Sequence, residues 1–127
     1  MSDFPYQKSV GGVYFPLIEF FTSFQKKVVR ISALIDSGAT ISIFKNEVAE
    51  QLGIKIETGK EIYLGGVGGH IKGYVHKLEV ETGGKKFPCP IVFSREYLVS
   101  FNLLGRQAFF KRFRITFEEK KNLLKLE

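Results

Sequence analysis

The stretch from Tyr14 to Ile35 constrains the fold more than any other part of the sequence. Tyr14–Phe24 and Lys27–Ile35 are rich in Phe, Val and Ile, whose aromatic or branched side chains suit a pleated surface, and only a polar Gln25-Lys26-Lys27 junction separates them. Two such runs with so short a break predict an antiparallel hairpin. Further along, Glu61–Leu64 and Ile71–Val80 flank Gly65-Gly66-Val67-Gly68-Gly69. That glycine string is too poor in side chains to pack a core, so it predicts the mobile tip of a long hairpin. Gly83-Gly84 marks another tight turn, and Phe87-Pro88-Cys89-Pro90 leads into Ile91-Val92-Phe93, where the prolines predict an edge position or a strand start. Leu103-Leu104-Gly105 reads as a short buried strand. Phe113–Phe117 and Asn122–Leu126 alternate apolar with charged residues around Glu118–Lys121 and predict a final hairpin with one wet face.

Two segments read as short helices. Asn46–Leu52 carries helix formers, with Asn46 placed to cap its start and Gly53 to stop its end. Arg106–Lys111 predicts the second. No repeat, linker or low-complexity tract interrupts the pattern. Residues 1–127 are therefore expected to form a single all-β domain, mostly antiparallel, with one or two short helices.

Composition removes several classes. With 127 residues, 44% of them hydrophobic, the chain can bury a core without a disulfide or a structural metal, and its one cysteine, Cys89, can make neither. Cys89, between two prolines, reads as a small inert apolar residue. No apolar run approaches the roughly 20 residues that span a bilayer, and Met1–Val10 lacks the build of a signal peptide, so no membrane association and a reducing, cytoplasmic location are expected. The net charge is +6, but Lys26-Lys27, Lys85-Lys86, Lys111-Arg112-Arg114 and Lys120-Lys121 are short, dispersed groups, and the Phe-rich stretches read as core and interface. This predicts solvated faces with no nucleic-acid partner. His70 and His76 are too far apart and too lacking in companions for a metal site; both are expected at exposed or partly exposed strand positions.

One residue stands out chemically. In Ala33-Leu34-Ile35-Asp36-Ser37-Gly38-Ala39-Thr40 a carboxylate follows an apolar strand directly. An ionised acid there is costly unless it is paired or opens onto a cleft. Small residues at 37–39 let another group approach the Asp36 oxygens, and the Ser37 hydroxyl can fix the turn that aims them. Taken alone, Asp-Ser-Gly is also an ordinary turn signature.

Three motifs in order resemble the retropepsin-like aspartic proteases: Leu34–Ala39, similar to the string that carries the catalytic aspartate; Leu64–Lys72, similar to the glycine-rich flap of retroviral proteases; and Phe101–Gln107, similar to the family's apolar-apolar-Gly-Arg strand. The resemblance covers roughly Ser32 to Phe113. It implies a closed β-barrel of the acid-protease type with a flap hairpin, acting as an aspartic endopeptidase with no cofactor and no metal. Asp36 would be the catalytic acid and base, Ser37 would brace two active-site loops, and Gly38 would meet the substrate backbone. Gly65, Gly66 and Val67 of the flap would hold the substrate, Val67 through its backbone N–H. Leu34, Phe101 and Leu103 would line pockets for apolar or aromatic side chains.

The mechanism of such enzymes needs two carboxylates sharing a proton. The chain has one Asp-Ser-Gly string, and Asp3, in a polar N-terminus, is its only other aspartate. The resemblance therefore implies an isologous homodimer acting on a peptide or protein substrate. Two departures bear on that dimer. Thr40 stands where many retroviral members carry an aspartate that holds the Arg of the Gly-Arg pair, which leaves Arg106 to find another partner. The terminal segments are longer than the retroviral ones, and the hairpin at Phe113–Leu126 could build a dimer sheet, cap an edge or do neither. A catalytically silent peptide-binding module of the same fold is the alternative function.

Overall fold

The computed structural model describes residues 1–66, 69–98 and 100–127. In chain order the elements are β1 (Ser2–Pro5), β2 (Gln7–Lys8), β3 (Tyr14–Phe15), β4 (Leu17–Phe24), β5 (Lys27–Ile35), β6 (Ser42–Phe44) and α1 (Asn46–Leu52). After a 3₁₀ turn at Ile56–Thr58 come β7 (Lys60–Gly66), β8 (Gly69–Thr82), β9 (Lys85–Phe93) and β10 (Asn102–Leu104). A 3₁₀ turn at Phe110–Arg112 leads to β11 (Ile115–Glu118), and another at Glu119–Lys121 to β12 (Leu123–Leu126).

Seven strands form one sheet in the order β4-β5-β10-β6-β9-β8-β7, and a further pairing of β4 with β8 closes it into a ring. The expected hairpins are its frame. β4 and β5 pair in register from Leu17↔Leu34 to Phe24↔Lys27. In β4 the period of two puts Ile18, Phe20 and Thr22 inside and Glu19 and Phe21 outside. The buried Thr22 hydroxyl is satisfied by donating to the Glu79 carbonyl at 2.9 Å, a side-chain tie across the closing seam between β4 and β8. The turn from β8 to β9 places Gly83 and Gly84 at φ 58° and 77°, the left-handed pair that a two-residue hairpin requires. Pro88 and Pro90 lie where β9 has only β8 beside it; β6 joins from Ile91 onward, so neither proline interrupts a two-sided ladder.

Aromatic side chains fill the core. Phe44 packs between Phe20 and Phe93, with ring centroids 6.0 and 6.4 Å away, and a second cluster joins Phe87, Phe109 and Phe113. The C-terminal hairpin β11–β12 pairs with the chain's own β1, making a separate three-stranded sheet in the order β1-β12-β11.

Four local expectations are corrected. The first strand begins at Leu17, because Pro16 breaks the run and Tyr14–Phe15 turns away to pair with Gln7–Lys8. Lys45, not Asn46, is the N-cap of α1; Asn46 is already helical, and its buried Oδ1 has no partner among the described residues. The helix expected at Arg106–Lys111 is a turn followed by a 3₁₀ segment, since Ala108 takes a left-handed φ of 67° that no α-helix tolerates. His76 is buried, its ring between Phe24 and Phe93, whereas His70 is exposed as expected. Gly53 does end α1, at φ 73° with its N–H on the Ala49 and Glu50 carbonyls. No helix among the described residues is long and apolar enough to cross a membrane.

Candidate active site

The topology that matters is the insertion of β10 between β5 and β6. It runs parallel to β5, Asn102↔Ala33 through Leu104↔Ile35, and antiparallel to β6 at Leu103↔Ile43. The connection from β5 to β6, residues 36–41, must therefore loop around the end of β10. Asp36 leads this loop, with its N–H on the Leu104 carbonyl at 3.0 Å. Beyond β10 the Arg106 and Gln107 N–H groups donate to the Ala39 and Thr40 carbonyls, each at 2.8 Å. Gly105 lies in the crossing: a Cβ there would fall onto the Ile41 carbonyl and within 2.7 Å of the Ala39 carbonyl, so only glycine fits. Its N–H donates to Ser42 Oγ at 3.0 Å. Asn102 locks the base, donating to the Ser32 carbonyl and accepting from the Lys45 N–H, at 2.9 and 2.7 Å.

Ala33 and Ile35 point into the core, so alternation sends Leu34 and Asp36 to the opposite face. Asp36 is half-buried, and its Oδ1 accepts the Gly38 N–H at 2.8 Å. That bond ties the carboxylate into the turn. A Cβ on Gly38 would lie 3.2 Å from Oδ1, tight enough to crowd it. Ser37 is exposed. Facing this loop is the β7–β8 hairpin, whose distal pairs are Leu64↔Ile71, Gly65↔His70 and Gly66↔Gly69. Between loop and hairpin lies a cleft of about 460 Å³, reached by Gly38, Thr40, Ile43, Leu64, Gly65 and Tyr97. The cleft is lined by residues 38–41 of this loop and not by Asp36 itself, whose carboxylate is held by the Gly38 N–H at the head of the same loop; a carboxylate so placed can polarise a water against a bound carbonyl.

A family profile described as aspartyl protease matches residues 23–108, more than half of the chain. The chain belongs to the aspartyl protease family. A comparison with curated protein sequences finds no match. Among solved structures, the protease resembles a retropepsin-like aspartic protease from Rickettsia conorii, with 21% identity over 98% of each chain and a TM-score of 0.68. It also resembles EIAV protease complexed with an inhibitor, with 17% identity over 77% of this chain and 88% of that one and a TM-score of 0.61. At these identities the likeness is one of fold, and it is the retropepsin fold that the three motifs imply.

Of the remaining residues expected at the site, Leu34 and Leu103 sit side by side in the β5–β10 ladder, next to Asp36 on the same face, and neither lines the cleft. Phe101 packs on Phe15, centroids 5.2 Å apart, and lines a separate cavity of about 370 Å³ with Leu17 and Arg30. Gly66 ends β7, while Val67 lies outside the described residues. Arg106 holds the Asp36 loop through its backbone; its side chain opens onto a cavity of about 580 Å³ with Thr40, Gln107, Phe110 and Lys111, and it forms no ion pair among the described residues. No group of metal-binding side chains occurs among the described residues.

Tyr97 was not legible as a site residue. It is half-buried, donates to the Phe101 carbonyl at 2.8 Å and lines the cleft; burial, then the negative charge of Asp36, pushes its hydroxyl up to about 12. A lone tyrosine in Ser94–Ser100 carries neither period nor motif, and only the fold brings it to Asp36. Cys89 is buried, and burial pushes its thiol up to about 11, the environment of an inert cysteine.

Proposed function

We propose that the protein is a homodimeric aspartic endopeptidase, with residues 1–127 acting as one retropepsin-like domain and each subunit contributing one Asp36. The observation that carries this reading is a single, glycine-shaped Asp36 loop opening onto a cleft beneath a flap-like hairpin. One carboxylate cannot be both base and acid in the same step, so a twofold axis beside Asp36 brings in the second. One Asp36 then takes a proton from water as it attacks the scissile carbonyl, and the other donates to the carbonyl oxygen. Proton return to the amide nitrogen releases the two peptide ends. Ser37 braces the paired loops and Gly38 meets the substrate backbone. The substrate lies extended between the floor and the flap, held by Gly65, Gly66 and Val67, in β-augmentation.

Ile43, Leu64, Ile71 and Tyr97 around the cleft favour apolar or aromatic side chains beside the cut; Leu34 and Leu103, paired on the face that carries Asp36, add to that preference, whereas Phe101 lines the separate cavity and is not counted with them. We place the enzyme in a reducing, cytoplasmic compartment, the setting that a lone buried thiol fits. The test is incubation of the protein and its Asp36→Asn variant with a diverse peptide mixture between about pH 3.5 and 7, new ends being read by mass spectrometry. Cleavage between apolar residues by the wild type alone, rising more than linearly with enzyme concentration, is expected. Dimers in sedimentation with no cleavage by either protein would transfer the fold to a peptide-binding role.

A further inference from the structure

The flap-like arm has a built root. β9 pairs with β8 only as far as Tyr74↔Phe93, whereas the β7–β8 pairing continues to Gly66↔Gly69. Beyond Tyr74 the arm is a two-stranded ribbon, and ribbons of two strands are marginal on their own. At Gly73 the ribbon passes so close to the barrel that a Cβ would lie 2.6 Å from Val92 Cγ1.

At the next residue, two side chains replace the missing strand. The Ser94 hydroxyl donates to the Lys72 carbonyl at 2.6 Å, and the Lys72 N–H donates to Glu96 Oε2 at 2.5 Å. Both backbone groups of Lys72 that point away from β7 are thus satisfied, extending the ladder by one residue. Ser94 is fully buried, and its oxygen accepts the Glu96 N–H at 3.1 Å, so the two clips are joined. The same short turn carries Tyr97: its N–H bonds to the Ser94 carbonyl at 3.2 Å, and its ring walls the cleft beside the Asp36 loop.

We propose that Ser94 and Glu96 are positioning residues that fix the root of the flap at Lys72 and tie its angle to the Tyr97 wall of the cleft. Neither touches the reacting atoms. Their effect reaches substrate through the Tyr63–Gly65 and His70–Lys72 segments above the clip. This role deepens the endopeptidase reading, but its structural half stands without it.

Amide hydrogen exchange of the full chain tests that half directly. Ser94→Ala and Glu96→Ala should each speed exchange in peptides covering 60–66 and 69–73 by about fivefold or more, the worth of one hydrogen bond, with Ile91–Phe93 unchanged. Glu96→Gln keeps an oxygen acceptor and should restore wild-type protection. Arg95→Ala breaks the neighbouring ion pair to Glu57 and should leave the flap unaffected. Unaltered flap exchange in both alanine variants, a Gln variant as fast as the Ala one, or a uniform rise through the barrel would each overturn the proposal. In the cleavage assay Glu96→Ala should raise KM about fivefold with kcat within about twofold, because looser closure weakens binding before it alters chemistry. Exchange confined to the flap in a chain that cuts no peptide would uphold the clip and sink the endopeptidase reading instead.

Discussion

Gly105→Ala is the most informative single change in the framework that holds Asp36. The added methyl meets the Ile41 and Ala39 carbonyl oxygens, and both are backbone atoms that no rotamer change can move away. Relief requires the 39–41 loop to shift by a large fraction of an ångström, at a cost of about 1–3 kcal/mol for overpacking. The shift also lengthens the bonds from Gly105, Arg106 and Gln107 to Ser42, Ala39 and Thr40, each worth about 1 kcal/mol net. With all three bonds lost the total is about 4–6 kcal/mol, a large part of the roughly 5–15 kcal/mol that a domain possesses. At about 3–5 °C per kcal/mol for a chain of this size, Tm should fall by about 12–30 °C. Thermal unfolding followed by circular dichroism at one fixed protein concentration gives the value, since association also moves Tm. Gly84→Ala is the control: φ is 77° there but nothing lies within 4 Å of the new Cβ, so only backbone strain of about 1 kcal/mol is expected. If Gly105→Ala costs no more than Gly84→Ala, the crossing of β10 through the Asp36 loop is not what shapes the site.

Three further outcomes follow from the same geometry. Cys89 should resist thiol reagents at pH 8 in the folded protein, because a thiol pushed up to about 11 is only about one part in a thousand thiolate, against about one in four for a free cysteine; labelling at the unfolded rate without denaturant would contradict this. Glu57, hydrogen-bonded to Arg95, and Glu118, hydrogen-bonded to Lys125, are both held below the ordinary carboxylate value of 4.5. Depressed carboxylates stabilise fully above the unfolded value and lose that contribution as pH falls through the lower folded value. Tm should therefore drop on acidification below about pH 4.5, and by less in Glu118→Gln; parallel Tm curves would argue against it. His76→Ala removes a buried ring that donates to the Ile56 carbonyl at 2.9 Å and should cost about 2–4 kcal/mol in urea unfolding, while His70→Ala, at an exposed site, should cost under about 0.5 kcal/mol.

The readable parts of this chain are those whose cause is local. Alternation in β4, paired glycines at 83 and 84, and the stop at Gly53 each announce a conformation that a few neighbouring residues impose. The place of Asp36 at the head of a glycine turn was legible for a similar reason, as a carboxylate after an apolar strand followed by small residues. What was not legible depends on partners far along the chain. Arg106–Lys111 has helix-forming residues, yet its first N–H groups are engaged by the Ala39 and Thr40 carbonyls and Ala108 turns left-handed. His76 reads as an ordinary strand histidine until Phe24 and Phe93 close over it. Asn102 looks like a strand's first residue, though it fastens β5 to the start of α1. Tyr97 and Ser94 lie in a loop with no period, and their roles come from the Asp36 loop and from Lys72, both distant in sequence.

The central claim, that each active centre draws one Asp36 from each of two chains, is tested most directly by subunit mixing. Wild type and Asp36→Asn are combined at constant total concentration, allowed to exchange, and assayed on a peptide that the wild type cuts. If both carboxylates are required, only wild-type pairs are active, and an equal mixture should show about one quarter of the wild-type rate, falling as the square of the wild-type fraction. A rate of about one half, linear in that fraction after exchange is complete, or of about three quarters if mixed dimers are fully active, would mean that a single Asp36 suffices and would contradict the shared centre.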